Sequence, residues 1–242
     1  MTSAQTLSVD AKPEPFGLDP QRTAVIVVDI QNDFASEGGL MARMGTDISQ
    51  IQAAVAPIGR VLKAARNAGS KVVYLKMEFR PDLSDLGPPD SANALRHRYA
   101  GVGQSFAAPN GSEGRLLVKD TWNTAIVDEL RPEPSDIVVS KQRFSGFYNT
   151  ELDTILKTLG VRSLVFTGCT TSVCVESTLR DACFRDYRCL LLADCTAEPI
   201  GAQFSRTNHE ATLLVTEQLF GWVAQSAAFL QAVQLPGVMV ST

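Results

Sequence analysis

The chain has 242 residues, of which 45% are apolar and 20% charged, a balance typical of one globular domain with a full core. Its formal net charge of -4 and the lack of a basic arm argue against nucleic acid or an anionic membrane as a partner. The five cysteines lie between Cys169 and Cys195 without a CxxC pair, which predicts reduced thiols in a cytoplasmic protein rather than a disulfide framework.

The N-terminal segment is polar and contains proline, which is typical of neither a signal peptide nor a membrane-spanning helix. We predict that residues 1–22 form a loosely held arm, which could lie on a neighbouring subunit. Residues 23–235 are predicted to form one domain, because nothing further along the chain marks the start of a second.

Short β-branched runs then alternate with longer segments of helical spacing. Strands are predicted over the ranges 23–29, 71–77, 137–140, 163–166 and 188–193. They are nearly continuous apolar runs, as expected of parallel strands buried on both faces. Helices are predicted over 51–67 and 151–159, where the apolar residues have helical spacing. A glycine soon after each range marks the end of the helix. This alternation predicts an α/β fold, in which right-handed crossovers place helices on both faces of a parallel sheet.

Residues 78–120 interrupt this alternation. The segment contains several prolines and polar turn residues, and its apolar residues show little periodicity. A stretch of this length without regular structure is more often a functional lid than a linker. We therefore predict a lid or insert region within the same domain.

Three polar residues fall where predicted strands end, which is where open parallel sheets bind their ligands. Asp29 closes the first strand, Lys141 follows the third, and Cys174 begins the helix after the fourth. The ordinary alternatives are a turn cap, an exposed strand-end lysine and a small buried thiol. Because all three lie at strand ends, we predict an active site there. A pairing of the thiol with His97 or His209 stays open.

These residue types suit nucleophilic catalysis. Asp29 can take the thiol proton, and the Cys174 thiolate can then attack a carbonyl carbon. Lys141 supplies the positive charge that stabilises the thiolate, and the start of a helix is expected to lower the thiol pKa further. The expected oxyanion donors are the N–H groups of Cys174 and Thr170.

Three segments resemble the isochorismatase-like cysteine hydrolases: VVDIQNDF at 27–34, KQRFSGF at 141–147 and TGCTTSVCVEST at 167–178. The resemblance extends from about residue 23 to about residue 233. It implies a doubly wound, six-stranded parallel sheet, a cis peptide bond before Thr170, and assembly as a homodimer or homotetramer. The Asp-Lys-Cys triad of the family corresponds to Asp29, Lys141 and Cys174.

Within the family, the chain is most similar to the ureidoacrylate amidohydrolases, in KQRFSGFYNTELDTIL, VCVESTLRD and LFGWV. Its FRPDLSDL and GCTTSVCV segments also resemble the biuret and triuret hydrolases. The resemblance implies hydrolysis of a small linear ureido or carbamoyl amide, with release of ammonia through a thioester-type intermediate. The nicotinamidase branch carries an Asp/His metal cluster after the second strand. Because this chain has no histidine there, we predict no catalytic metal and no cofactor.

The residues predicted to contact the substrate each have an ordinary alternative as well. The aromatic residues, which could wall a planar ureido group or simply pack in the core, are Phe34, Trp122 and Phe147. Arg80 or Arg143 could bind a substrate carboxylate through its guanidinium fork, or form a surface ion pair instead. Glu176 could accept the N–H groups of a terminal urea, although an acid in the first turn of a helix is favourable in itself.

Other functions compete with a ureidoacrylate-type hydrolase. A biuret or triuret hydrolase would use the same triad on a substrate that carries no carboxylate. A catalytically silent binding domain is expected to lack a member of the triad, and all three residues are present. A redox-sensing thiol is disfavoured, because no resolving cysteine is evident.

Overall fold

The structure, a computed structural model, describes residues 6–234. Residues 1–5 of the predicted arm and residue 235 of the predicted domain lie outside the described residues. The strands are β1 (Leu7–Val9), β2 (Phe16–Leu18), β3 (Thr23–Val28), β4 (Lys71–Met77), β5 (Ser105–Ala107), β6 (Glu113–Arg115), β7 (Ile137–Lys141), β8 (Ser163–Cys169), β9 (Arg188–Ala197) and β10 (Trp222–Ala224). The helices are α1 (Asn32–Ala35), α2 (Leu40–Arg43), α3 (Ser49–Asn67), α4 (Ala92–Tyr99), α5 (Leu152–Thr158), α6 (Glu176–Cys183), α7 (Asn208–Val215) and α8 (Ser226–Gln234).

Six of these strands form one parallel sheet, in the order β10-β9-β8-β3-β4-β7. From β3 the chain first builds outward through β4 to β7 and then crosses over to build β8, β9 and β10 on the other side. The predicted doubly wound, six-stranded parallel sheet is confirmed. The strand order reverses between β3 and β8, and the carboxyl ends of these two strands are where a ligand site is expected.

The sheet separates two hydrophobic clusters, because successive side chains of a strand point to opposite faces. Val25 and Val27 belong to the cluster that includes residues of α3 and α8, and Ala24 and Ile26 belong to the one that includes residues of α5 and α6. Every residue of β3 is buried, which is why its sequence is continuously apolar. Within residues 6–234, no helix combines the length and the apolar character needed to cross a membrane.

The N-terminal segment forms an antiparallel hairpin of β1 and β2 against the body of the chain. Four apolar side chains at alternate positions are buried there: Leu7, Val9, Phe16 and Leu18. Lys12 also exchanges backbone hydrogen bonds of 2.8 and 3.0 Å with Val223 in β10. These four side chains and the bonds to β10 anchor the hairpin on the core of its own chain, contrary to the loose attachment expected from the polar composition of the segment.

The segment 78–120 has regular structure of its own, which the sequence did not indicate. It contains α4 and the antiparallel hairpin of β5 and β6. Its buried apolar residues form a third cluster, which includes Phe79, Leu86, Val102 and Leu117 and contacts Met77 at the end of β4. The segment thus packs on the sheet beside the carboxyl end of β4. Its action as a lid stays a prediction.

Candidate active site

Asp29 lies directly after β3, at the reversal of the strand order. Its φ of 51° turns the chain out of the strand, while its N–H still donates to the carbonyl of Leu75 at 3.0 Å. Aspartate is one of the residues that adopt this left-handed region most readily. Gln31 holds the following turn, because its side chain both donates to the carbonyl of Met77 at 3.0 Å and accepts from the Met77 N–H at 2.8 Å. The carboxyl group of Asp29 is thereby fixed in a buried position.

Lys141 ends β7 and reaches past the neighbouring strand to this carboxyl group. Its Nζ lies 2.7 Å from Oδ2 of Asp29, 3.7 Å from Sδ of Met77 and 3.2 Å from the carbonyl oxygen of Arg143. Both partners of the ion pair are buried. The second oxygen of Asp29, Oδ1, accepts no hydrogen bond from the residues of 6–234. It is thus the carboxylate oxygen with free capacity for a proton.

Cys174 lies in a single π-helical turn, Thr171–Val175, which leads from β8 into α6. The residue is 8% exposed, and the charges of Asp29 and Lys141 both act on the pKa of its thiol. Its carbonyl accepts a 2.7 Å hydrogen bond from Oγ1 of Thr178, and this hydroxyl in turn accepts from the Gly146 N–H at 3.0 Å. The structure thus brings together the three residues that the sequence predicts as catalytic. Their catalytic roles stay a prediction.

The predicted oxyanion donors belong to the same short segment. The Cys169–Thr170 peptide bond is cis, as the family resemblance implies. The carbonyl of Thr170 accepts hydrogen bonds from the N–H groups of Val173 and Val175, which flank that of Cys174. Gly168 has a φ of 112°, and a Cβ atom there would lie 2.1 Å from the carbonyl oxygen of Val28. Only glycine therefore lets β8 approach β3 where the turn begins.

Burial dominates the electrostatics of the three groups. It raises the pKa of Asp29, although the positive charge of Lys141 opposes this. Burial alone would lower the pKa of Lys141, but the Asp29 carboxylate and the Cys174 thiol outweigh it, and the pKa of Lys141 is raised. Burial also raises the pKa of Cys174 against the effect of Lys141, so the expected lowering by the start of a helix is wrong. The raised pKa of Lys141 favours its ammonium form, and the raised pKa of Cys174 favours a neutral thiol.

The raised pKa of Asp29 predicts how activity depends on acid. A general base must be ionised, so kcat/KM is expected to fall as the pH drops through the pKa of Asp29, above the range of an ordinary aspartate. Because the folded state raises this pKa, protonating Asp29 does not itself favour unfolding. Activity should be lost while tryptophan fluorescence still reports a folded chain. A profile in which activity and fluorescence change together would contradict this.

The predicted aromatic contacts differ in their surroundings. Phe34 is half-buried between the sheet core and the third cluster. Trp122 is also half-buried, and its carbonyl accepts a 2.8 Å hydrogen bond from the side chain of Asn32. Phe147 is buried, with its ring centroid 6.0 Å from that of Tyr187 and 4.8 Å from the guanidinium of Arg185. These contacts favour the packing alternative for Phe147, whereas Phe34 and Trp122 stay candidates.

Of the residues predicted to make polar contacts with the substrate, Arg143 lies next to Lys141, whose Nζ donates to its carbonyl oxygen. It is half-buried, and its Nη1 donates to the carbonyls of Asp85 and Gln142 at 3.2 and 2.7 Å. Arg80 is exposed. Glu176 accepts hydrogen bonds of 2.7 Å from both Nε of Arg180 and Oγ1 of Thr212. These bonds favour the ordinary alternative for Glu176, a first-turn acid that ties α6 to α7.

Neither histidine bonds to the thiol. Nδ1 of His97 lies 2.7 Å from the carbonyl oxygen of Asn93 within α4, and Nδ1 of His209 lies 3.0 Å from Oγ1 of Thr171. Burial lowers the pKa of His97, and the positive charges of Lys141 and Arg143 lower it further. His97 thus lies within the electrostatic reach of Lys141. The sequence did not indicate this, because it does not show that α4 folds towards β7.

Asp33 is a buried carboxylate that is not among the site residues predicted from the sequence. Its Oδ1 accepts from the Leu40 N–H at 3.0 Å and from the side-chain amide of Asn123, and its Oδ2 accepts from the Leu117 N–H at 2.6 Å. The bond from Leu117 joins α1, which follows Asp29, to the end of the 78–120 segment. A second acid within four residues of Asp29 was the available signal.

No group of three or more histidine, cysteine, aspartate or glutamate side chains within residues 6–234 is arranged to hold a metal ion. The segment after β4, where the resemblance would place such a cluster, instead carries Glu78, which lies 3.0 Å from Nζ of Lys76. The lack of a catalytic metal stays a prediction.

Comparisons with known proteins agree with this geometry. Residues 23–228 match the isochorismatase domain. A ureidoacrylate amidohydrolase of Rhizobium rhizogenes is 42% identical over 221 residues, which cover 91% of this chain and 87% of the relative. The solved structure of a cysteine hydrolase from Pseudomonas syringae pv. phaseolicola superposes with a TM-score of 0.76 at 28% identity, covering 97% and 99% of the two chains. An N-carbamoylsarcosine amidase from Thermoplasma acidophilum gives a TM-score of 0.62 at 25% identity, covering 85% and 96%.

Proposed function

The chain belongs to the isochorismatase family, and on this basis we propose that it is a cysteine amidohydrolase that cleaves a C–N bond of a small linear ureido or carbamoyl amide. The observation that carries the proposal is the buried ion pair of Lys141 and Asp29, whose Nζ and Oδ2 atoms are 2.7 Å apart, together with a buried cysteine, Cys174, whose thiol pKa both charges affect. The names of its relatives support the amide chemistry, since they include an amidohydrolase and an amidase.

The first half of the proposed reaction forms a covalent intermediate. Asp29 takes the thiol proton on its free oxygen, and the sulfur of Cys174 attacks the carbonyl carbon, whose π electrons move to oxygen. The N–H groups of Thr170 and Cys174 hold this oxyanion. The C–N bond then breaks as the oxyanion collapses, and Asp29 gives its proton to the leaving nitrogen. The carbonyl carbon is left bonded to sulfur.

The second half uses the same groups on water. Asp29, again ionised, removes a proton from a water molecule whose oxygen attacks the thioester-type carbon. The C–S bond breaks, and Lys141 stabilises the departing thiolate until Asp29 returns the proton to it. The leaving nitrogen takes the proton that came from sulfur, and the proton that Asp29 removes from water passes to sulfur, so the triad ends as it began.

Ureidoacrylate is the substrate we propose, with biuret or triuret as the alternative. Relatives named ureidoacrylate amidohydrolase support the first. Ureidoacrylate carries a carboxylate and biuret does not, so a guanidinium beside the site also favours it. Arg143 meets this condition better than Arg80, because its carbonyl accepts a 3.2 Å hydrogen bond from Nζ of Lys141 and its side chain is half-buried, whereas Arg80 is exposed.

Ammonia release from ureidoacrylate, biuret, triuret, N-carbamoyl amino acids and nicotinamide tests the proposed function. We expect turnover of ureidoacrylate. Release from none of these compounds would favour a catalytically silent binding domain, and preference for biuret or triuret would support the alternative substrate.

The Arg143→Gln variant is expected to raise KM for ureidoacrylate by about 10-fold or more, since a hydrogen bond to a charged group is lost. KM for biuret should stay within about 2-fold, because biuret carries no carboxylate. Arg96→Gln, an exposed position on α4, is the matched control. An effect of Arg80→Gln in place of Arg143→Gln would move the carboxylate contact to Arg80.

We further propose a cytoplasmic homodimer or homotetramer. The five free thiols support a reducing compartment. Large exposed apolar side chains after α6 and near α7 support an interface between subunits: Phe184, Phe204 and Leu219. Sedimentation equilibrium tests the assembly, and a monomer at micromolar concentration would refute it.

A further inference from the structure

Glu198 is a buried carboxylate that the reaction described above does not use. It follows β9 directly and is 2% exposed. Among residues 6–234, no lysine, arginine or histidine forms an ion pair with it. Burying an unpaired anion is unfavourable unless hydrogen bonds compensate. A neutral residue would avoid this cost, so the reason for an acid must lie in what it binds.

Glu198 binds the turn that carries the nucleophile. Its Oε2 accepts from the Ser172 N–H at 2.7 Å and from the Ser172 hydroxyl at 2.5 Å. Its Oε1 accepts from the Ile200 N–H at 3.0 Å, which fixes the carboxylate itself. Ser172 lies two residues before Cys174. Hydrogen bonds to a charged acceptor are about twice as strong as neutral ones, so this is the strongest type of anchor available to an N–H group.

The turn needs such an anchor because its own hydrogen bonds are irregular. The carbonyl of Thr170 accepts from both Val173 and Val175, and Thr171 is held from outside by the ring of His209 at 3.0 Å. A π-turn is rare and occurs frequently at functional sites. Loosening Ser172 would let the following residues relax towards an ordinary α-helical turn, which would move both the thiol of Cys174 and its N–H.

We propose that Glu198 is a positioning residue, which holds the turn Thr171–Val175 so that the Cys174 thiol faces Asp29 while its N–H faces the oxyanion. This inference rests on the proposed function for its catalytic consequence, but its structural part does not. Among the described residues, the hydrogen bonds of the Glu198 side chain go to Ser172 and Ile200 and not to the thiol, so Glu198 would act through the turn.

Kinetics on ureidoacrylate test the catalytic part. Glu198→Ala is expected to lower kcat by about 100-fold, the scale of a misplacement of about 1 Å, with KM within about 3-fold. Glu198→Gln keeps an acceptor for Ser172 and should recover at least about 10-fold of this loss. Glu210→Gln is the matched control, because Glu210 binds an N–H and a hydroxyl of Thr207 in the same way but at the start of α7.

Hydrogen–deuterium exchange tests the structural part without any substrate. In Glu198→Ala, the peptide covering residues 168–178 should exchange at least about 10-fold faster, whereas peptides from β3 and β4 should be unchanged. Unchanged exchange in 168–178 would overturn the proposal, and so would an Ala variant with normal kcat. If the wild type hydrolyses no ureido compound, the proposed function fails, and the exchange data still decide whether Glu198 holds the turn.

Discussion

Replacement of Cys174 by serine is expected to lower kcat/KM for ureidoacrylate by about 10⁵-fold or more, the range seen when a nucleophile is removed. A hydroxyl is far less acidic than a thiol, and its alkoxide would have to form in a buried site that already raises the pKa of the thiol. Since sulfur and oxygen differ little in size, the fold should persist. Ammonia release gives the rate, and circular dichroism checks the fold.

Cys183→Ser is the matched control for this variant. Cys183 is a free, half-buried thiol at the end of α6, outside the triad. The control should retain at least about half of the wild-type activity, as surface changes away from special features have small effects. A Cys174→Ser enzyme with a tenth or more of the wild-type rate, or a Cys183→Ser enzyme without activity, would contradict the assignment of the nucleophile.

Lys141→Met is expected to lower the free energy of unfolding by about 3–5 kcal/mol, because removing one partner of a buried ion pair leaves the other uncompensated. The double variant Asp29→Asn/Lys141→Met removes both charges and should recover most of this loss. Neither variant should hydrolyse ureidoacrylate, since the base or its cation is absent. Urea unfolding followed by fluorescence measures the stability of each.

Lys157→Met provides the comparison with an exposed pair. Lys157 and Asp153 are also 2.7 Å apart, but the lysine side chain is 67% exposed. Its loss should cost no more than about 0.5 kcal/mol. If Lys141→Met were as mild as Lys157→Met, or if the double variant were less stable than Lys141→Met, the buried pair would not have the energetics described here.

The grouping of Asp29, Lys141 and Cys174 was predictable because parallel strands bring their carboxyl ends to one edge of a sheet. Asp29 and Lys141 lie far apart in sequence, but each directly follows or ends an apolar run that is unambiguous as a strand. The strand–helix alternation likewise indicated the sheet. The number of strands follows only from the family resemblance, because β10 has just three residues, too few for a clear strand pattern.

What the sequence did not indicate depends on burial by distant segments. A place at the start of a helix predicts a lowered pKa for the thiol of Cys174. Burial of this thiol raises its pKa instead. The sequence contains no signal for the role of Glu198, since a glutamate after a strand is usually exposed and only the structure shows that this one is buried. The hairpin of β1 and β2 was not predicted either, because its four buried apolar residues lie among many polar ones.

In the proposed reaction, the resting triad carries one negative and one positive charge, and its total charge is zero. When the proton passes from sulfur to Asp29, the negative charge would move to sulfur, next to the same ammonium group, and the total charge would still be zero. The proposed attack therefore needs no counter-ion from solution, and the site can stay dry while it takes place. Water is required only after the leaving nitrogen departs. The place that nitrogen vacates can then receive the single water molecule that completes the hydrolysis.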